Sequence, residues 1–235
     1  MDVTLVSYTP NPLHAIEAAA SVCYDSPVNA EGKTVRHCYL SGHHSVLEHA
    51  SFTWEIRGVS RALLAQITRH RLASFCVQSQ RYVSYEGGFD YVIPRSLIST
   101  EDREAFRNQM ATVQQWYREW LEKGLAPEDA RAVLPNACCT TLRVTMNLRE
   151  FVHFCNERLC ACAQKEIRTL CKLMVQTVNQ ATDNAFAYML VPKCEAHPNM
   201  PFCTESKRRN CGKYPTLKEI YTAALQTAKP NAMKH

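Results

Sequence analysis

The chain lacks the long apolar runs that a membrane protein needs. No apolar segment reaches the roughly 18 residues of a membrane span. The start, Met1-Asp2-Val3, shows no basic stretch followed by an apolar one, as a secretory signal would. With 7 glycines and 11 prolines in 235 residues, a collagen-like or low-complexity chain is excluded. We therefore predict a globular, cytoplasmic protein without a membrane partner.

Glycine-rich nucleotide loops are also missing, since neither GxGxxG nor GxxxxGK occurs. Neither positive nor negative charge dominates, since the net charge is +5. Hydrophobic residues make up 46% of the chain and charged residues 21%. This balance is typical of a globular protein and too mild to indicate nucleic acid by itself. Arginine exceeds lysine by 17 to 10. Because guanidinium groups bind phosphates and carboxylates in a bidentate manner, this bias points to phosphorylated ligands.

Cysteine, by contrast, is abundant, with twelve residues. In the absence of an export signal we expect reduced thiols rather than disulfides. Six cysteines occur in apolar stretches, where a thiol behaves as a small buried hydrophobe: Cys138, Cys139, Cys155, Cys160, Cys162 and Cys171.

The C-terminal tail carries four further metal-ligand side chains within eighteen residues, namely Cys194, His197, Cys203 and Cys211. They are of the type that forms a small structural zinc site, but their spacing matches no standard zinc pattern. We favour a solvated loop with incidental cysteines here and assign no metal.

Helical periodicity dominates the chain, and a few strands are scattered between the helices. We predict strands at 3–8, 50–57, 89–93 and 139–146, and helices at 11–23, 32–40, 60–71, 100–123, 127–134, 147–160, 164–186 and 217–227. This order does not alternate strand and helix regularly. It predicts an α+β fold with a mixed or antiparallel sheet flanked by long helices. We divide the chain into a catalytic domain, 1–191, and a Cys- and Lys-rich tail, 192–235.

The densest set of functional side chains lies between Gln66 and Tyr82. Three arginines and a histidine fall within the thirteen residues from Arg69 to Arg81, interleaved with Ser and Gln. Guanidinium groups beside hydroxyl and amide groups bind phosphate and the edge of a base or ring. Two alternatives remain at this point. One is a solvated basic helix end; the other is a nucleic-acid patch, although the stacked aromatics of such a patch are missing.

The same residues resemble a known family. Arg69-His70-Arg71, followed after seven residues by Ser79, is similar to the RHR-x7-S signature of the flavin-dependent thymidylate synthases. Other segments match in the right order and extend the resemblance over roughly residues 16 to 170: Gly42-His43, Glu48-His49, Ala130 to Pro135, Asn147-Leu148-Arg149 and Asn156-Glu157-Arg158.

The resemblance implies a function and an assembly. Members of this family make dTMP from dUMP, with methylenetetrahydrofolate as methylene donor and reduced FAD as hydride donor, and NADPH usually reduces the flavin again. They are homotetramers whose active sites lie between subunits. Alternatives for this chain are a nucleic-acid-binding protein that uses the segment from Arg69 to Arg81, and a flavoprotein of the same fold with another pyrimidine substrate.

The resemblance also assigns residues. Arg158 looks like the arginine that faces the uracil ring and favours ionisation of its N3, and His43 like a histidine close to the flavin ring; we predict both as catalytic. The expected dUMP contacts are Gln66, Arg69, Gln78, Ser79, Gln80, Arg81, Arg131 and Arg158. The expected FAD contacts are Ser45, Arg69, His70, Arg71, Val77, Asn147, Arg149 and His153.

The sequence departs from the family at a few positions. Cys76-Val77 stands where many members carry Asn-Glu, so Val77 offers a ligand only backbone or apolar contact. His153 replaces a more common Asn, and Cys162 a more common His. Cys76 lies among basic residues, which makes it a nucleophile by type. We favour a small packed residue, because the family needs no thiol nucleophile.

Overall fold

The computed structural model describes residues 1–197 and 199–228. Four strands form one sheet: β1 (Asp2–Tyr8), β2 (Ser51–Ser60), β3 (Ser74–Val77) and β4 (Cys139–Asn147). The order is β1-β2-β4-β3, and every neighbouring pair is antiparallel. The predicted α+β fold is confirmed, with an antiparallel sheet. Residues 229–235 of the predicted tail lie outside the described residues.

The helices follow the predicted order. They are α1 (Pro12–Tyr24), α2 (Lys33–Leu40), α3 (Arg61–Ile67), α4 (Thr100–Glu122), α5 (Pro127–Ala130), α6 (Leu148–Arg158), α7 (Lys165–Ala181) and α8 (Leu217–Ala228). Short 3₁₀ segments cover His44–His49, Arg131–Val133 and Lys193–Glu195. Within the described ranges, none of these helices has the length and apolar character required to cross a bilayer.

The main core lies between one face of the sheet and helices α6 and α7. Along β2, Phe52, Trp54 and Ile56 are completely buried, and the residues between them turn away from this face. This period of two is what a sheet with one buried face requires. Burying each such side chain contributes about 1.5–3 kcal/mol. Trp54 packs on Phe151 of α6 at 4.8 Å between ring centroids and donates to Thr177 of α7 at 2.9 Å.

A buried cap fixes the point from which the basic segment from Arg69 to Arg81 departs. Ser60 ends β2 and caps α3, its hydroxyl accepting from Leu63 N at 3.0 Å. Glu166, at the start of α7, accepts from both Ser60 N (2.8 Å) and Ser60 Oγ (2.7 Å). These bonds anchor α3 to α7, so the chain after α3 leaves in one defined direction.

Three predicted elements were wrong in extent. The strand at 89–93 is not formed; Tyr91 makes an isolated bridge with Cys138, and Phe89 instead packs in a small second core beside Met110. The helix at 60–71 ends at Ile67, and the helix at 164–186 ends at Ala181 because Asp183 and Asn184 take positive φ angles of 47° and 60°.

The cysteines are less uniformly buried than predicted. Cys138, Cys155 and Cys171 are buried, but Cys139 and Cys160 are partly exposed and Cys162 is exposed. The last two follow the end of α6, where the chain leaves the core. All twelve cysteines are free thiols.

Candidate functional site

A cavity of about 590 Å³ opens where the end of α3, the first 3₁₀ segment and α6 meet. Five of the predicted flavin contacts line it: Arg69, His70, Arg71, Arg149 and His153. They come from two segments separated by about eighty positions in the chain. The fold therefore assembles one basic cavity from residues that the sequence only suggests separately.

Helix α6 orients one side of this cavity. Asn147 caps the helix, its Oδ1 accepting from Glu150 N at 2.9 Å. Arg149 and His153, four positions apart, then share one exposed face of the helix. Arg149 forms an ion pair with Glu48. Asn147, a predicted flavin contact, thus has its side-chain oxygen engaged in capping.

His70 forms the centre of a buried hydrogen-bonded triad with Glu150 and Arg158. Its Nδ1 lies 3.0 Å from Glu150 Oε1, and Arg158 Nε donates to its Nε2 at 3.1 Å. Because an arginine can only donate, Nε2 must be an acceptor, and the imidazole is neutral with its proton on Nδ1. Burial first, and then the charges of Arg158 and His153, lower the pKa of His70 to about 4.

Glu150 was not predicted as a site residue. It is 4% exposed, and burial raises the pKa of its carboxyl, while the charge of His153 opposes this shift. In the sequence, Glu150 stands three positions after Asn147 and looks like half of a capping box. A role in helix capping already accounts for a glutamate at this position, so nothing in the sequence linked Glu150 to His70.

Arg158 is held by a second contact. Its Nη2 donates to the carbonyl oxygen of Gln66 at 3.4 Å, while the Gln66 amide donates to Ala62 O at 3.1 Å. Arg158 is only partly buried. The guanidinium is therefore fixed from two sides at the last residue of α6.

Several predicted nucleotide contacts form a separate group on the surface. Arg81 Nε donates to Glu128 Oε2 at 2.8 Å, and Arg131 Nε donates to the Glu128 backbone oxygen at 2.9 Å. Ser79 Oγ accepts from Arg81 N at 3.1 Å. Arg81 and Arg131 thus both bind Glu128, Arg81 through the carboxylate and Arg131 through the backbone oxygen, and Ser79 lies beside Arg81. They do not line the cavity at α6, so a single chain does not unite all predicted nucleotide contacts.

Gln78 and Gln80 flank this group and are tied to the protein. The backbone oxygen of Gln78 accepts from Arg61 Nη2 at 2.8 Å, and the amide of Gln80 lies 3.8 Å from Cys138 Sγ. Val77 belongs to the edge strand β3, opposite Leu142, and packs against the main core.

The segment from His43 to Ser45 differs in detail from the prediction. His43 and Ser45 are exposed, and it is His44 that lines the cavity. His44 stacks on Tyr39 at 5.2 Å between centroids, and its Nε2 lies 3.1 Å from the Tyr39 backbone oxygen. Leu72, a further residue not predicted, is 71% exposed at the cavity. It offers an apolar contact beside Arg71.

The chain is similar in sequence to known proteins over most of its length. A family model described as "Thymidylate synthase complementing protein" matches residues 4–182. The flavin-dependent thymidylate synthase of Geobacter sulfurreducens is 40% identical over 233 residues, which cover 94% of this chain and 98% of that protein. The enzyme of the same name from Pyrococcus furiosus is 39% identical over 197 residues, 77% of this chain and 80% of that one.

Solved structures share the fold. Thymidylate synthase X from Helicobacter pylori, with FAD and dUMP, superposes with a TM-score of 0.64 at 25% identity, covering 81% of this chain and 99% of that chain. The UMP/dUMP methylase PolB from Streptomyces cacaoi, bound with 5-Br dUMP, gives a TM-score of 0.66 at 27% identity, covering 79% and 94%.

Proposed function

Because the chain belongs to the flavin-dependent thymidylate synthase family, we propose that it converts dUMP into dTMP. Methylenetetrahydrofolate supplies the methylene group, and NADPH reduces the flavin. The observation that carries the proposal is the fixed position of Arg158, which is held by neutral His70, a residue that itself lines the basic cavity.

The residues of the cavity fit a flavin dinucleotide. Arg69, Arg71 and Arg149 are exposed at its edge, and their guanidinium groups complement a diphosphate. Leu72 adds exposed apolar surface for a ring system. When bound, FAD supplies the hydride that completes the methyl group. This chain's part is to hold the cofactor through these arginines and His153.

Arg158 acts on the pyrimidine in this proposal. Its Nε and Nη2 are engaged by His70 and Gln66, which leaves Nη1 for the ligand. A guanidinium remains protonated at all physiological pH values, so it stabilises the negative charge of an ionised uracil without itself titrating. His43 lies on the exposed loop before the first 3₁₀ segment, and we retain it as a proposed residue near the flavin ring.

The group of Ser79, Arg81 and Arg131 binds the nucleotide phosphate. Arg81 pairs with the carboxylate of Glu128, while Arg131 donates to the Glu128 backbone oxygen. A phosphate dianion offers Arg81 a stronger acceptor of the same sign. This group and the basic cavity beside α6 are separate within one chain. We therefore propose a homotetramer in which each active site combines the basic cavity of one subunit with Ser79, Arg81 and Arg131 of another. We assign residues 1–191 to the catalytic unit and propose a cytoplasmic location.

The test begins with the purified protein, which should be yellow and should release FAD on denaturation. With methylenetetrahydrofolate, NADPH and dUMP labelled with tritium at C5, it should release tritium and form dTMP. Omitting the folate should abolish dTMP. Absence of bound flavin, or nucleic-acid binding by a colourless protein, would contradict the proposal.

A second pyrimidine substrate is tested in the same assay. Similarity to the UMP/dUMP methylase PolB favours including UMP. We expect dUMP to be preferred. Methylation of UMP with a higher kcat/KM than dUMP would replace thymidylate synthesis by the related reaction on the ribonucleotide.

A further inference from the structure

A second cavity, of about 370 Å³, lies between the end of α6 and the C-terminal tail. Five of the twelve cysteines line it: Cys160, Cys162, Cys194, Cys203 and Cys211. They come from three separate segments, the loop after α6, the 3₁₀ segment at Lys193–Glu195 and the tail. Arg158 also lines this cavity, so the thiols lie beside the arginine that we propose for the pyrimidine.

Two of these thiols are already close enough to share a metal ion. The sulfur atoms of Cys160 and Cys162 and a carboxylate oxygen of Glu205 all lie within 4.8 Å of one another. In a tetrahedral zinc–thiolate site, with zinc–sulfur distances of about 2.3 Å, neighbouring sulfurs are about 3.8 Å apart. Cys162 N also donates to Cys160 Sγ at 3.5 Å.

Two more thiols line the same cavity. Cys194 is partly buried and lies in the 3₁₀ segment Lys193–Glu195. Cys203 is buried and its backbone is fixed, its nitrogen donating to Pro215 O at 2.8 Å. Both sulfurs are therefore held at the cavity by ordered backbone.

Zinc with four thiolates carries a net charge of −2, and both cationic and anionic side chains line this cavity. Lys193 pairs with Glu157 and Lys213 with Glu195, whereas Arg158 and Arg209 are further cations of the lining and Glu205 a further anion. His197, a ligand candidate from the sequence, instead stacks on Phe202 with ring centroids 6.1 Å apart. The candidate ligands in the structure therefore include Cys160 and Cys162 and not His197. The spacing of residues in the tail could not identify these two cysteines, because they precede the tail in the sequence.

We propose that this cavity is a structural zinc site with Cys160, Cys162, Cys194 and Cys203 as ligands. Binding converts four thiols into thiolates and releases four protons as one Zn²⁺ enters. Cys162 Sγ then loses the hydrogen bond of 3.2 Å that it donates to Arg209 O in the thiol form. Because Cys160 follows Arg158 by two residues, the metal joins the tail to the helix end that carries Arg158.

Metal content tests the site directly on the full-length holoprotein. Purified under reducing conditions with zinc supplied, the protein should contain about one zinc per chain by elemental analysis. Cys160→Ser and Cys203→Ser should each weaken zinc binding by about 100-fold or more in chelator competition, since even loss of a supporting residue costs 10–100-fold. Cys23→Ser is the matched control, because Cys23 is an exposed thiol on α1 outside the cavity.

Two readouts separate ligation from a general loss of folding. Cobalt in place of zinc should give intense ligand-field bands beyond the flavin absorption, typical of tetrahedral thiolate coordination, and these should disappear in the two cavity variants while FAD content stays unchanged. Trypsin should cut at Lys207 to Arg209 faster after chelation of zinc.

The outcomes are decisive in either direction. Stoichiometric zinc that survives Cys23→Ser but is lost in both cavity variants supports the site. A metal-free protein, zinc retained in both variants, or iron with acid-labile sulfide would each overturn it. None of these results depends on thymidylate synthesis, so the site and the proposed function fail or stand independently.

Discussion

Arg158 Nε donates a hydrogen bond of 3.1 Å to His70 Nε2, and the opposite ring nitrogen of His70 lies 3.0 Å from Glu150 Oε1. The carboxylate fixes the proton on Nδ1, and the unprotonated Nε2 then holds the guanidinium. His70 therefore couples a buried acid to the arginine that we propose for the pyrimidine. The second residue of the RHR motif is a positioning residue in this arrangement.

Replacing Arg158 should reduce turnover far more than flavin content. Removing one preorganised donor for developing negative charge costs about 10²–10³ in rate, so Arg158→Ala should lower kcat by that factor while released FAD stays near one per chain. Arg107→Ala is the control, because Arg107 pairs with Glu104 on the exposed surface of α4. Activity of Arg158→Ala within about threefold of the parent, under 1 kcal/mol of barrier, would refute the role.

His70 should make stability depend on pH. Its pKa is lowered from 6.5 to about 4, so between these values the unfolded chain binds a proton that the folded chain does not. The free energy of unfolding therefore falls as the pH drops from 6.5 towards 4, by up to about 3 kcal/mol from this group.

The comparison of variants isolates that contribution. His70→Gln should be less stable than the parent at pH 7, and the difference in urea midpoint should shrink as the pH falls towards 4. The raised pKa of Glu150 acts in the opposite direction, and Glu150→Gln measured alongside separates it. His14→Gln, at an exposed position of α1, should leave the slope unchanged. A constant difference across the window would show that His70 is not buried as the neutral form.

Arg81 should contribute to binding of the nucleotide and not to binding of the flavin. A hydrogen bond to a charged group contributes about 1.5–3 kcal/mol, so Arg81→Ala should raise the Kd for dUMP by roughly tenfold or more. Arg143→Ala, on the exposed face of the sheet beside Glu55, is the control. Unchanged dUMP affinity with loss of FAD in a titration of Arg81→Ala would reverse the assignment.

Cys76 should be dispensable for chemistry. It is exposed on the edge strand β3, opposite Arg143, and serine keeps its size while removing the nucleophilic thiolate. Cys76→Ser should retain kcat within about threefold, equivalent to less than 1 kcal/mol of barrier. Loss of turnover with FAD and dUMP still bound, or a denaturation-stable adduct of labelled nucleotide on Cys76, would instead establish covalent catalysis.

The local signals of the sequence were enough for most elements. Alternation of apolar residues predicted β1 and β2, because the period of two follows from the backbone. Asn147 was correctly predicted as the cap of α6, since an asparagine side chain can satisfy the orphaned N–H groups of a helix start. The strand at 89–93 failed because its aromatic residues pack against α4 and not across a sheet.

The sequence by itself determined the family, through Arg69-His70-Arg71 and Ser79, and most of the helix and strand order. The strand β3 was not among the predicted strands, and the predicted strand at 89–93 does not form. Only the tertiary structure decided that Glu150 holds His70, that His70 holds Arg158, and that Cys160 and Cys162 face Cys194 and Cys203. The physical reason is distance along the chain. Periodicity and capping act over a few residues, whereas these contacts join residues from some thirty to ninety positions apart, which meet only when the core packs.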